Sequence, residues 1–131
     1  MIGLDTNVLI RFFAKDDPVQ SPKARAFLDS LTVSGPGWIG QGTILELVWV
    51  MTSTSRLSRD GIARILGELL ARDSIVIEGS EVVEKALQVY RRGKADFADC
   101  LIAAGARAAG CHRTVTFDRI AARDAGMELI Q

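Results

Sequence analysis

Four carboxylates in this chain sit beside apolar residues that would otherwise discourage a charge. Asp5 follows Met1-Ile2-Gly3-Leu4, Glu46 lies between Leu45 and Leu47, Asp99 between Ala98 and Cys100, and Asp118 directly after Phe117. Burying a lone carboxylate is costly. Several that gather instead form an oxygen-rich donor set, which suits Mg²⁺ or Mn²⁺ and the phosphate chemistry those hard cations support. Each acid also has a structural reading. Thr43-Ile44-Leu45-Glu46 fits a capping box, Asp96 to Asp99 is a weaker version of it, and Asp118 can cap a helix. Spacing alone does not show convergence.

Other chemistries are limited by count. Two cysteines, Cys100 and Cys111, and one histidine, His112, are too few for most zinc arrangements. Cys100 falls in an apolar helical run and reads as a small core residue. A serine or cysteine triad would depend on His112, which stands at the start of a strand. Net charge is zero, from 16 basic and 16 acidic residues. Setting four acids aside at a metal leaves twelve against the sixteen cations, so a neutral total can hide a basic face.

The elements that would position the acids alternate. Residues 1–4 read as a buried strand. Asp5-Thr6-Asn7 then breaks the apolar run with side chains that favour a helix start, and Val8, Leu9, Ile10, Phe12 and Phe13 continue as a helix. Asp17-Pro18 or Ser21-Pro22 opens a second, amphipathic helix. Trp38-Ile39 is a short strand. The run from Thr43 to Thr52 is a helix apolar nearly all round apart from Glu46, and Ser58 starts the next, the two forming a hairpin. Ile75-Val76-Ile77 is a β-branched strand. Ser80 is expected to cap a fifth helix with Val83, Ala86, Leu87 and Tyr90 inward, closed by Arg91-Arg92-Gly93-Lys94. An alanine-rich helix follows, then a strand over 112–116 that ends at Phe117-Asp118, a short helix through Ala122, and an edge strand over 127–130. The expected architecture is α/β: a three-layer α/β/α sandwich in one domain over 1–131, with a parallel sheet of about five strands and a helical hairpin inserted after the second. Asp5 and Asp118 both follow strands, where open α/β sheets place ligands.

LDTNVLI, the ELVWV helix, DFADCLIAA and TFD, in that order, resemble a PIN-domain protein of the VapC toxin type across essentially the whole chain. The resemblance implies neighbouring first and fourth strands and a metal-dependent ribonuclease acting as the toxin of a toxin-antitoxin pair. It carries Asp5, Glu46, Asp99 and Asp118 onto the four family acids, with Asp5, Asp99 and Asp118 as ligands of Mg²⁺ or Mn²⁺ and Glu46 as a ligand or water-orienting base. Thr6, Asn7 and Thr116 match polar positions near the acids, and Asp96 competes with Asp99 for the third role as an N-cap or accessory acid. Implied partners are RNA, a cognate antitoxin and a second copy of the chain. Arg11, Lys15, Arg91, Arg92, Lys94 and Arg119 flank the acidic segments and are candidate phosphate contacts.

Two other readings compete. A receiver-type signalling domain would have two adjacent acids after the first strand and a lysine near the last, whereas Thr6 follows Asp5 and no lysine lies beyond Lys94. A non-catalytic PIN scaffold that binds RNA or protein is disfavoured by the four intact acids. The apolar stretches fall short of the roughly 18 residues of a spanning helix, and the N-terminus lacks a signal pattern, so the expected location is the cytoplasm, with no membrane partner.

Overall fold

The computed structural model describes residues 1–131, which form two compact units, Met1–Glu78 and Gly79–Gln131. In the first, the order is β1 (Ile2–Gly3), α1 (Thr6–Ala14), α2 (Gln20–Ser30), β2 (Gly37–Ile39), α3 (Gln41–Ser53), α4 (Arg59–Ala71) and β3 (Ile75–Ile77). The three strands are parallel in the order β1-β2-β3, with Gly3 opposite Trp38 and Trp38 opposite Val76. Each crossover carries two helices, as the strand spacing in the sequence requires. The second unit contains α5 (Ser80–Arg92), α6 (Phe97–Ala108), β4 (Val115–Thr116), α7 (Arg119–Asp124) and β5 (Glu128–Leu129), with β4 and β5 paired in parallel.

The mixed α/β class and the parallel strands agree with expectation, but the five strands make a three-stranded and a two-stranded sheet and not one sheet of five. The strands are too short for more. Asp5 starts α1 two residues beyond Gly3, and β4 ends where Asp118 starts α7, so each has only two residues to pair. Nor is β1 a buried strand. Met1 and Ile2 are exposed, and only Leu4 enters the core, its N–H reaching the Trp38 carbonyl at 2.9 Å.

The core of the first unit is aliphatic: Leu9, Leu28, Ile39, Ile44, Leu47, Ile62, Leu66 and Leu69 are all essentially inaccessible. Phe12 packs edge-on to Phe13, and the guanidinium carbons of Arg25 and Arg72 each lie 4.9 Å from its ring centre, so the rim of this core is sealed by cation–π contacts. The second unit is built differently. Ala86, Ala95, Ala103, Ala121 and Ala125 are buried, and such small residues let helices approach closely around the edge-to-face pair of Tyr90 and Phe97. Cys100 lies in this core, as expected, while Cys111 is exposed. No helix is long and apolar enough to cross a membrane.

Helix starts separate the correct local readings from the incorrect ones. Asp17 accepts the N–H groups of Val19 and Gln20, so the Asp17-Pro18 signal opens α2 and Pro22 falls within its first turn. Ser58 caps α4 through Gly61 at 3.1 Å. Thr43 caps nothing, because α3 begins two residues earlier at Gln41, whose N–H is held by Glu78 Oε1 at 2.9 Å. A partner 37 residues away has no local signature. Ser80 is likewise the first helical residue of α5 and not its cap, the cap being Gly79 in the left-handed region at φ 60°, a conformation that costs other residues roughly 1–2 kcal/mol.

The two serines therefore predict opposite outcomes in urea denaturation. Ser58→Ala should cost about 1 kcal/mol, the usual value of a lost cap, and Ser80→Ala should be neutral within about 0.3 kcal/mol.

Candidate functional site

Three of the predicted acids meet in the second unit, at the N-termini of two helices. Asp96 is the N-cap of α6 and accepts the N–H of Asp99 at 2.9 Å. Asp118 is the N-cap of α7, and the N–H groups of Ile120 and Ala121 both land on its Oδ1, at 2.8 and 2.9 Å, leaving Oδ2 unbonded. Thr116 fixes the approach, its hydroxyl accepting the Asp118 N–H at 3.0 Å. Asp99, half-buried in the first turn of α6, stands between these charges. Desolvation first, then the charges of Asp96 and Asp118 and a hydrogen bond with the Asp96 side chain, push its carboxyl above the usual range. The structure thus assigns Asp96 both readings at once, cap and neighbouring acid.

A fourth carboxylate, which the sequence reading did not select, locks this arrangement. Asp124, at the end of α7, accepts the Lys94 N–H at 2.8 Å and is gripped by Arg123 through Nε and Nη2 at 2.8 and 3.0 Å, which draws its pKa down to about 2. It packs so tightly on the loop that a Cβ on Gly93 would meet it at 2.9 Å. Gly93 therefore does more than close α5: it allows α7 to dock onto the loop that leads to Asp96. The aromatic ring of Phe117, beside Asp118, is 79% exposed.

In the first unit, Asp5 is the N-cap of α1 and accepts the Thr6 N–H at 2.8 Å. Thr6 is buried and Asn7 exposed. Asp5 and Asn7 border an open pocket of about 540 Å³ that is otherwise mostly apolar, with Arg11 and Lys23 on its wall. Arg11 is already bonded to Gln20 at 2.7 Å and paired with Asp16 at 3.5 Å. Glu46 is exposed and makes no capping bond, so its apolar sequence neighbours do not bury it. It shares the open side of α3 with Trp49, which is 68% exposed. The all-apolar reading of this helix holds only for the face of Ile44, Leu47 and Met51.

The PIN domain family model matches residues 2–126. The chain therefore belongs to the PIN domain family, whose members are generally nucleases and typically use divalent metal ions. No curated protein matches the chain.

No three His, Cys, Asp or Glu side chains converge closely enough to make a complete metal shell. A magnesium-type ion does not require one, since it usually takes one or two carboxylates and keeps several waters. Asp99 and Asp118 fit that demand: they are hard oxygen donors, their charges already interact, and Asp118 retains a free oxygen.

The raised pKa of Asp99 fixes the sign of a pH effect. Ionising this carboxyl disfavours the folded state, so its contribution to stability is full below the unfolded carboxylate pKa and is lost as pH rises through the higher folded value. Asp99→Asn should accordingly raise Tm in EDTA at neutral pH by roughly 2–4 °C. The gain should shrink as pH falls through the carboxylate range, as followed by circular dichroism melts.

Proposed function

We propose that this protein is a metal-dependent ribonuclease that hydrolyses RNA phosphodiester bonds, acting as the toxin of a toxin-antitoxin pair. The observation that carries the reading is the placing of Asp96, Asp99 and Asp118 at two helix starts, where burial and then the charges of the other two push the Asp99 carboxyl above its usual range. A divalent cation would relieve that repulsion. Family membership supports hydrolase chemistry at the coarse level. The order of the four acids supports the toxin type.

Bound Mg²⁺ or Mn²⁺ would supply a water of lowered pKa and neutralise charge on the leaving oxygen. Asp99 and Asp118 are the proposed ligands in the second unit, with Asp96 holding Asp99 at the helix start and Thr116 holding the turn before Asp118. Asp5 and Glu46 are proposed as the further acids that the reaction needs, Asp5 as a ligand and Glu46 as a ligand or water-orienting base. Thr6 and Asn7 orient the Asp5 turn. The exposed Trp49 on α3 supports a protein partner, a second copy of the chain or an antitoxin.

Purified protein with Mn²⁺ should cleave RNA, and Asp5→Asn and Asp99→Asn should each lower the rate at least about a hundredfold, on the scale of losing a principal catalytic group, with circular dichroism unchanged. Asp96→Asn should cost less than tenfold, since asparagine caps as well as aspartate does. The reverse order of Asp96 and Asp99 would show that the wrong acid was chosen. Growth arrest on expression should disappear with Asp5→Asn. An Asp5→Asn variant as toxic as the wild type would favour a binding module over a nuclease.

A further inference from the structure

Among the cavities of the second unit, one is walled by guanidinium groups. Arg92 in the last turn of α5, Arg107 in the last turn of α6 and Arg123 in the last turn of α7 face a cleft of about 360 Å³, with Gly93, Asp124 and Gly126 among the rest of its wall. Its single carboxylate is committed, since Asp124 is held by Arg123 and by the Lys94 N–H. Arg92 and Arg107 have no carboxylate partner, and the Arg107 guanidinium lies against Gly126, where a Cβ would stand 3.7 Å from Nη2.

Each arginine also complements the partial negative charge of its own helix end. Granting about half a charge to each of three helix ends and a full one to Asp124, the three guanidiniums still leave the cleft net positive. The surrounding surface adds to this. The unit carries eight lysines and arginines against seven acids, and three of those acids are Asp96, Asp99 and Asp118.

We propose that the Arg92–Arg107–Arg123 cleft is a phosphate subsite that holds the backbone of an RNA substrate away from the cleaved bond. This rests on the ribonuclease reading and deepens it. Helix α7 sets the spacing, because Asp118 opens it at the acid cluster and Asp124 closes it at the cleft. Those ends are about 9 Å apart at 1.5 Å per residue. A separation of that size places the held phosphate close to the scissile one along the same strand. Arg123, fixed in place by both Asp124 oxygens, is the preset contact, and Arg92 and Arg107 close on it.

The test is fluorescence anisotropy of a labelled single-stranded oligoribonucleotide of mixed sequence, in EDTA to prevent cleavage, across a salt series. Compared with the wild type, Arg92→Gln/Arg107→Gln should bind at least about fivefold more weakly at low salt. The slope of log K against log salt should flatten by about 0.7 for the lost single-strand phosphate contact. Arg64→Gln, an exposed cation of α4, should leave both unchanged. A double variant that melts lower but keeps the wild-type affinity and slope would overturn the subsite and leave the arginines as helix-end cations. A double variant that keeps RNA binding but loses binding to polyglutamate would also overturn it, in favour of an acidic protein partner. Wild type that cleaves RNA with dependence on Asp99, alongside an unaltered double variant, would sink the cleft alone. Wild type that neither binds nor cleaves RNA would sink the functional reading beneath it.

Discussion

Like charges at short range are the constraint around which the second unit is built. Burial first, and then the charges of Asp96 and Asp118, raise the Asp99 carboxyl above its usual range, yet each of the three stands at the start of a helix, where unpaired N–H groups and the positive end of the backbone dipole favour an anion. Bonds from the Asp99, Ile120 and Ala121 amides to two of these carboxylates offset part of the repulsion. The cluster is tolerable because two of its acids are caps, and it is strained because a third carboxylate stands beside them. In Asp118 the two oxygens divide cleanly, with Oδ1 serving the helix and Oδ2 left free.

The interactions that the sequence disclosed are the ones closed within a few residues. Asp5-Thr6-Asn7 announced a helix start because the Asx-type bond runs to the next residue, and Ser58 announced another because its partner is three residues on. Ile75-Val76-Ile77 was readable from β-branching, and the inward face of α5 from its helical spacing. What the residues hid depends on distant partners. Glu78 takes the place that a capping box at Thr43 would have filled, and nothing near position 43 announces it. The apolar start of the chain suggested a buried strand, but pairing on one side only leaves Ile2 exposed.

The site was legible in its types more than in its environment. The apolar neighbours of Glu46 suggested burial, whereas on a helix adjacent residues point to different faces and only those three and four away share one. Read by that rule, Glu46 belongs with Trp49 on the open side and not with Leu45 or Leu47. Asp99 is half-buried because it shares a helix face with Ala103, four positions on, which is buried. Asp124 escaped notice because Arg123-Asp124 looks like a solvated pair. Its importance lies in the Lys94 amide, 30 positions back.

Helix α7 has only six residues, well under the length at which an isolated helix persists in water, so it is held by what grips its ends. Both grips are aspartates, one hydrogen-bonded into the first turn and the other clasping the loop ahead of α6. Releasing either end removes a restraint on the other, because six residues alone do not hold a helix. The acid cluster should therefore open and close as a single cooperative foldon, with α7 as its latch, and releasing either aspartate would speed proton exchange at the Ile120 and Ala121 amides together. Order at this site is then a property of the two ends together and of neither alone.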